Sequence, residues 1–540
     1  MRIGSISFRR LDSSLIESLL DPQAYPHPVE SIKMIETHIS WVILTGQFAY
    51  KIKKPIELAF LDFRELASRL YYCEQEVRLN RLWAPEIYLG VVPISMLHGQ
   101  AVVGGDGVAI EYAVRMRQFD QNRRLDAELL ANKLSLSDMD ELAGHIAGQH
   151  LSANAIGTDG RDEKLEHIKS DMWDNLDALE GLLAENNLRT LRQWTGTQLD
   201  KLGPALCRRI DDGFVRACHG DLHLSNLVRL PSGITAFDCI EFSDDLRNID
   251  VMCDTAFLVM DLVSRRRPDL AYRFLNRYLE ITGDYASMQV FTLYFVYRCL
   301  VRAKVAAIRS QERRDNEHAK TDRSRMQKYC ELALDRCQDR APILIVMHGL
   351  SGSGKTWLSS RLVSTMSALR IRSDIERKRM FGLDESSDSG SPVARGIYSD
   401  NANETVYKQI LDLGATLLHA GHNVILDAAF LKSSERGSAR EIAAECGARF
   451  VIVHADAPEA VIRDRIQKRA ASSSCADASE AGLSVLAHQI ENLEPLTKDE
   501  QRTAVYWDTG GTAGIPDLVR LLAERQSCPR RVSSHAGQAG

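Results

Sequence analysis

At 540 residues the chain is too long for one hydrophobic core, and a prior of about 100–200 residues per domain points to two large domains. Hydrophobic content of 44% and charged content of 26% are those of a chain that mostly folds, and a net charge of −6 argues against a surface given over to nucleic acid, though it allows a local basic groove. The eleven cysteines form no Cys-x-x-Cys pair and no zinc-spaced cluster, residues 1–12 lack the apolar core of a signal peptide, and apolar runs such as 290–296 are far short of a membrane span; reduced thiols in a cytoplasmic protein without a membrane segment are expected.

In the first thirty residues Leu15, Ile16, Leu19 and Leu20 stand before Pro22, Pro26 and Pro28, which predicts one short helix and an extended connection. Residues 36–44 and 47–53 then read as a β-hairpin closed by Thr45-Gly46. Side chains alternate along a strand, so Lys51 and Lys53 share a face. A lysine on such a strand, paired with a glutamate from the next helix, is how a kinase-like lobe holds ATP phosphates. The helix expected at about 63–82 offers Glu74 and Glu76. Most such charges simply face solvent; the pair preferred here is Lys51, taken narrowly ahead of Lys53, with Glu76, taken ahead of Glu74. Residues 108–116 read as an apolar strand that suits the segment joining two lobes, where backbone groups bond adenine. From 134 to about 209 the apolar spacing is helical, and His145 and His150 within it are given no role.

His219-Gly220-Asp221-Leu222-His223-Leu224-Ser225-Asn226 is the stretch around which the first half is organised. His-Gly-Asp alone is a common turn triplet. Here Asn226 follows Asp221 by the five residues that separate the hydroxyl-activating Asp of a kinase catalytic loop from its magnesium-binding Asn, and Asp238 ends a short apolar strand as a second metal ligand would. The set resembles the aminoglycoside and choline phosphotransferase branch of the kinase-like fold, in which a glycine such as Gly220 stands where protein kinases carry arginine. That resemblance implies that Asp250 or Asp254 caps a helix and ties the loop down through backbone N–H groups. Apolar helices through 291–308 would cover the substrate side, and the charge-dense stretch 311–340 reads as an exposed helix running to a boundary near Asp339, with a break at Pro342.

Residues 342–348 are a buried-strand pattern, followed by Gly349-Leu350-Ser351-Gly352-Ser353-Gly354-Lys355-Thr356, a complete P-loop. Its glycines let backbone N–H groups surround phosphates, Lys355 reaches the β and γ phosphates, and Thr356 binds magnesium at a helix N-terminus. The strand at 369–373 ends in Ser373-Asp374-Ile375-Glu376-Arg377, which resembles the small-molecule and polynucleotide kinase branch of P-loop proteins. In that branch Asp374 would accept the acceptor's hydroxyl proton and Arg377 would hold a substrate anion, although Asp374 would also serve as a helix cap. Asp427 closes a third strand where a magnesium-supporting acid belongs, and 451–454 is a fourth. Arg465 and Arg469 lie four apart on one face of the next helix, and one of them is expected to be a lid arginine beside the Ser/Ala-rich run 470–481. The Ser/Gly-rich loop 385–392 would line an acceptor site, and 526–540 reads as a polar, disordered tail.

The whole resembles the bacterial family that fuses an aminoglycoside-phosphotransferase-like domain to a P-loop kinase-like ATPase domain, from about 35 to 522. One departure is that no Gly-rich phosphate loop stands near 37–50, only Gly46. The resemblance implies a two-lobed α+β kinase-like domain over 1–338, an α/β P-loop domain with a mainly parallel sheet over 341–524, and a tail over 525–540. It further implies ATP and Mg2+ as cofactors and small-molecule hydroxyl groups as acceptors in both halves. An ATP-hydrolysing regulatory switch is the alternative for the P-loop half, and a nucleic-acid end kinase comes last because of the acidic balance.

Overall fold

The computed structural model describes residues 13–58, 61–157, 160–312, 316–385, 387, 396–471, 481–511 and 514–524. The expected tail, nearly all of the loop at 385–392 and most of the Ser/Ala-rich run lie outside these residues. The chain forms two compact units, one from Met1–Arg266 with Phe291–Asp335, the other from Arg267–Val290 with Arg336–Gly540.

The first unit opens with a six-stranded antiparallel sheet in the order Lys33–Glu36, Ser40–Leu44, Phe48–Lys53, Ala109–Arg117, Tyr88–Leu97, Gln100–Val103. The expected hairpin is its centre: Leu44 faces Ala49, and Gly46 makes the turn at φ 96°. Alternation splits the strand residues between two cores. Ile43, Tyr50, Ile52 and Ala113 pack with Leu15, Ile16 and Leu19 on one face. Leu44, Ala49, Val114 and Met116 pack with Cys73 and Val77 of helix Leu66–Trp83 on the other. The strand Ala109–Arg117 is internal to this sheet, so the stretch expected to join the lobes falls just after it. Tyr88–Leu97 was hidden from the sequence by Gly90 and Pro93, which interrupt the strand pattern.

The rest of the unit is helical, with Leu136–Ser152, Arg161–Asp177, Glu185–Asp211 and Val251–Ser264 around two small antiparallel pairs. Leu227–Leu230 pairs with Gly233–Ala236, and Val215–Ala217 with Asn248–Asp250. These short ladders hold both ends of the 219–226 loop.

The second unit carries a five-stranded parallel sheet in the order Leu369–Arg372, Val424–Asp427, Ile343–His348, Arg449–Asp456, Val505–Asp508. The central strand, Ile343–His348, is buried along its whole length, as a parallel strand covered by helices on both faces must be. Only the edge strand Val505–Asp508 gives no sequence signal, being four residues long with alternate side chains exposed. Helix Pro268–Thr282, inside the 1–338 stretch, lies in this second unit because its Asn276 side chain bonds the open edge of the sheet: Nδ2 donates to the Ala368 carbonyl at 2.9 Å and Oδ1 accepts from the Arg370 N–H at 2.6 Å. Among the described residues no helix is long and apolar enough to cross a membrane.

Candidate active sites

In the first unit the 219–226 loop is fixed from beneath. Gly220 turns at φ 83°, and a Cβ there would lie 2.8 Å from the Leu246 carbonyl, so glycine is required. The fully buried Asp254 accepts from the N–H groups of His219 and Gly220 at 2.9 and 3.0 Å, and His150 approaches it at 3.3 Å. Asp261 accepts from the Leu224 N–H at 3.1 Å. Asp250 instead caps helix Val251–Ser264 through the Met252 N–H and holds Arg209 in a two-point ion pair. Asp254 is therefore the residue that ties the loop, and Asp250 the one that starts the helix. His150, Cys218 and Asp254 bring potential ligand atoms within 4.8 Å of one another, but Asp254 is already committed to these N–H groups.

Held this way, the loop brings Asp221 and Asn226 together: Asn226 Nδ2 donates to Asp221 Oδ2 at 2.8 Å and to its carbonyl at 3.0 Å, leaving the Asn226 carbonyl oxygen as the acceptor. The Asp221 side chain is 39% exposed, and the partial desolvation that works against its charge is outweighed by His223, with Nε2 3.3 Å from Oδ2, and by Arg302, which hold the carboxyl well below the ordinary carboxylate range.

Asp238 sits at φ 64°, a left-handed conformation that costs a non-glycine residue about 1–3 kcal/mol and recurs at functional sites. Tyr88 Oη accepts from its backbone N–H at 3.0 Å, and Asn80 does the same for Cys239 at 2.8 Å. The Asp238 side chain is 44% exposed and takes Lys51 Nζ at 2.5 Å. Lys51 also donates to Glu76 at 2.8 Å, while Lys53 donates to the other Glu76 oxygen at 2.8 Å and to Glu241. The two lysines hold the Glu76 carboxyl below its usual value against the opposing effect of burial. Lys51 thus joins the helix glutamate to the strand-end acid, whereas Lys53 is closed off over the Phe63 ring. Glu74 has no part in this cluster. Glu241, three residues beyond Asp238, was legible only as one of several acids and is found by its contact, not its spacing.

In the second unit the P-loop curls as its glycines permit. A Cβ at Gly349 would lie 2.4 Å from the Ala455 carbonyl, and at Gly352 3.0 Å from that of Ile462, with φ at 141° and 82°. Gly354, at φ 95°, opens helix Lys355–Met366. Lys355 Nζ folds onto the carbonyls of Gly349 and Leu350, both at 2.9 Å, and burial draws it down to about 8 although Asp427 and Asp374 pull the other way. Asp427 accepts from Ser359 Oγ at 2.8 Å. Asp374 stands in the first turn of helix Ser373–Met380, near enough to Lys355 to favour its charge. Arg377 is 5% exposed, donates to the Ile397 carbonyl at 2.7 Å and lies over the Tyr398 ring. Arg465 donates to Thr509 Oγ1 and carbonyl at 2.9 and 3.0 Å and approaches the Gly352 carbonyl at 3.4 Å, bracing the loop. Arg469 bonds the Ala481 carbonyl and lies close enough to Lys355 to disfavour its charge.

The donor sets in both units suit ATP and a hard cation: carboxylate, amide and hydroxyl oxygens beside a lysine, and in the second a loop whose tight curl only glycine permits at positions 349 and 352. Comparison with known proteins agrees with these two descriptions. Residues 109–291 match the phosphotransferase enzyme family and residues 344–496 the AAA domain family. Uncharacterized proteins of Mycobacterium tuberculosis and Mycobacterium bovis are each 28% identical over 494 residues, spanning 90% of this chain and 93% of theirs. Among solved structures, a choline kinase of Cryptosporidium parvum is similar over 60% of this chain and 97% of its own, at 12% identity and a TM-score of 0.36. A gluconokinase of Sinorhizobium meliloti covers 35% of this chain and 97% of its own, at 22% identity and a TM-score of 0.24. The chain joins a phosphotransferase-family kinase-like domain to a P-loop kinase-like domain, and it is a phosphotransferase.

Proposed function

We propose that the protein is a bifunctional ATP-dependent kinase that moves the γ-phosphate of ATP to hydroxyl groups of small molecules, once in each unit. The observation that carries the proposal is the ion-paired set of Lys51, Glu76 and Asp238, joined to the loop of Asp221 and Asn226 by the Phe237 N–H, which donates to the Asn226 backbone carbonyl at 2.9 Å. Lys51, oriented by Glu76, would hold phosphate, and the apolar cluster in which Ala49 and Met116 of that sheet face pack with Val228 of strand Leu227–Leu230, with Val42 and Phe237 around it, would offer adenine a seat. Asp221, kept ionised, would take the acceptor's hydroxyl proton. Asn226 and Asp238 would hold magnesium there, and Thr356 and Asp427 in the second unit. Magnesium, when bound, neutralises charge that develops on the transferring phosphoryl oxygens.

In the second unit the backbone of residues 349–356 would cradle the phosphates and Lys355 would turn from its carbonyls onto them. Asp374 would act as base, Arg377 would face the acceptor's anion, Arg469 would reach the phosphoryl group and Arg465 would keep the loop in shape. Free thiols at all nine described cysteines suit the reducing cytoplasm where we place the reaction. The switch reading of the P-loop unit has one observation on its side, the burial of Arg377 against the Ile397 carbonyl, which leaves less of it for an acceptor. In that case Asp374→Ala would leave ATP hydrolysis intact.

The test is transfer from γ-labelled ATP with magnesium into a cytoplasmic metabolite extract, using wild type, Asp221→Ala and Lys355→Ala. Two labelled products, lost separately in the two variants, are expected. Loss of general-base catalysis in Asp221→Ala should cost about 10²–10⁴ in rate, roughly 3–5 kcal/mol. Free phosphate alone, abolished only by Lys355→Ala, would overturn the proposal in favour of the switch.

A further inference from the structure

We infer that Glu280, acting through Arg370, positions the second unit's metal-binding acid Asp427; the inference rests on the reading of that unit as a magnesium-nucleotide site. Glu280 stands near the end of helix Pro268–Thr282 and is 5% exposed. Its Oε1 accepts from Arg370 Nη2 at 2.8 Å. Arg370, 4% exposed on the edge strand Leu369–Arg372, turns its other nitrogen inward: Nη1 lies 3.3 Å from Ser359 Oγ, 3.5 Å from the Thr356 carbonyl and 4.0 Å from Asp427 Oδ2. Ser359 completes the chain by donating to that same Asp427 oxygen. One guanidinium therefore lies between two buried carboxylates, and it touches the residue or partner of both groups assigned to magnesium.

The helix fixes Arg370 twice. Asn276, one turn before Glu280, holds the Arg370 backbone N–H, and Glu280 holds the side chain. Arg379 in turn donates to the Glu280 backbone carbonyl, and Arg277 comes within 3.6 Å of Glu280 Oε2, so the residue is held at its main chain and at its second carboxylate oxygen as well. A guanidinium that close to a buried carboxylate competes with a divalent cation for it. Glu280 draws the guanidinium away and leaves Asp427 joined to it only at the margin of ion-pair distance. Without the Glu280 charge, Asp427 becomes the carboxylate toward which Arg370 settles, and magnesium must displace it.

The experiment uses the full chain and a fluorescent ATP analogue, taking only the binding signal that Lys355→Ala removes and titrating free Mg2+ from an EDTA baseline. Glu280→Gln keeps the shape and an acceptor oxygen. It should raise the Mg2+ concentration for half-maximal tightening of nucleotide binding about tenfold, the order of coupling seen between contacting charged groups, while metal-free binding stays within about twofold. The neutral pair Glu280→Gln with Arg370→Gln should bring the Mg2+ midpoint back to the wild-type value or below, and it supplies the test if Glu280→Gln alone fails to fold. An unchanged midpoint in folded Glu280→Gln, or a raised one in the neutral pair, overturns the inference. A wild type with no Lys355-dependent signal overturns the nucleotide-site reading itself, and this inference with it.

Discussion

Lys51 and Lys53 differ by one alternation of a strand and share one glutamate, yet their surroundings assign them different work. Lys53 is wholly enclosed between Glu76 and Glu241, so Lys53→Met leaves a buried carboxylate without its cation, a loss worth about 3–5 kcal/mol. A lowered melting temperature of the first unit should report it. Lys51→Met leaves Glu76 still paired with Lys53 and removes only the arm that reaches Asp238. Its phosphoryl transfer should fall by about 10²–10³, the cost of losing one preorganised electrostatic contact, with little change in melting. Equal melting losses in both variants would mean that the two lysines are a structural pair. Asp221 makes a separate prediction in pH. Its carboxyl is held below the usual value of about 3.9, so the base stays ionised through the mildly acidic range and the acid limb of the first unit's rate profile lies below it. Removing the neighbour that lowers it most must move that limb upward, so His223→Asn should shift it to higher pH, as measured from kcat/KM against pH.

At the scale of the element, the loop 219–226 owes its shape to contacts that its own sequence does not contain. Gly220→Ala would place a Cβ 2.8 Å from the Leu246 carbonyl in left-handed backbone, and about 1–3 kcal/mol of strain should appear as a fall in the first unit's kcat with KM for ATP little changed. Full kcat in that variant would show the loop free to relax. The loop and the P-loop were legible because each packs its chemistry into about eight consecutive residues with fixed spacing. The hairpin carrying Lys51 was legible by alternation. Glu76 was preferred to Glu74 on the sequence and is the one that meets Lys51, whereas the choice of Asp254 over Asp250 needed the fold, since neighbouring acids look alike until one of them meets a backbone N–H. Glu241, Ser359 and Arg370 were not legible for the same reason: their partners lie 188, 68 and 90 residues away.

At the scale of the molecule, the second unit is discontinuous in sequence, taking Arg267–Val290 from within the stretch that matches the phosphotransferase family. That segment supplies three things the P-loop fold lacks: Asn276 for the open edge of strand Leu369–Arg372, Glu280 for the buried Arg370, and the Met288 carbonyl, which His422 contacts at 3.1 Å. A fragment of residues 341–524 would carry every motif of the nucleotide site and still lose the Glu280 partner of Arg370, freeing the guanidinium to settle on Asp427, and would leave the strand edge that Asn276 bonds uncovered, a recognised route to aggregation. The fragment should melt well below the second transition of the full chain and lose nucleotide binding, and a synthetic peptide of residues 267–290 added in excess should raise its melting temperature by mass action. A fragment that melts as the full chain does, indifferent to the peptide, would make the segment a passenger on a P-loop fold that is complete without it.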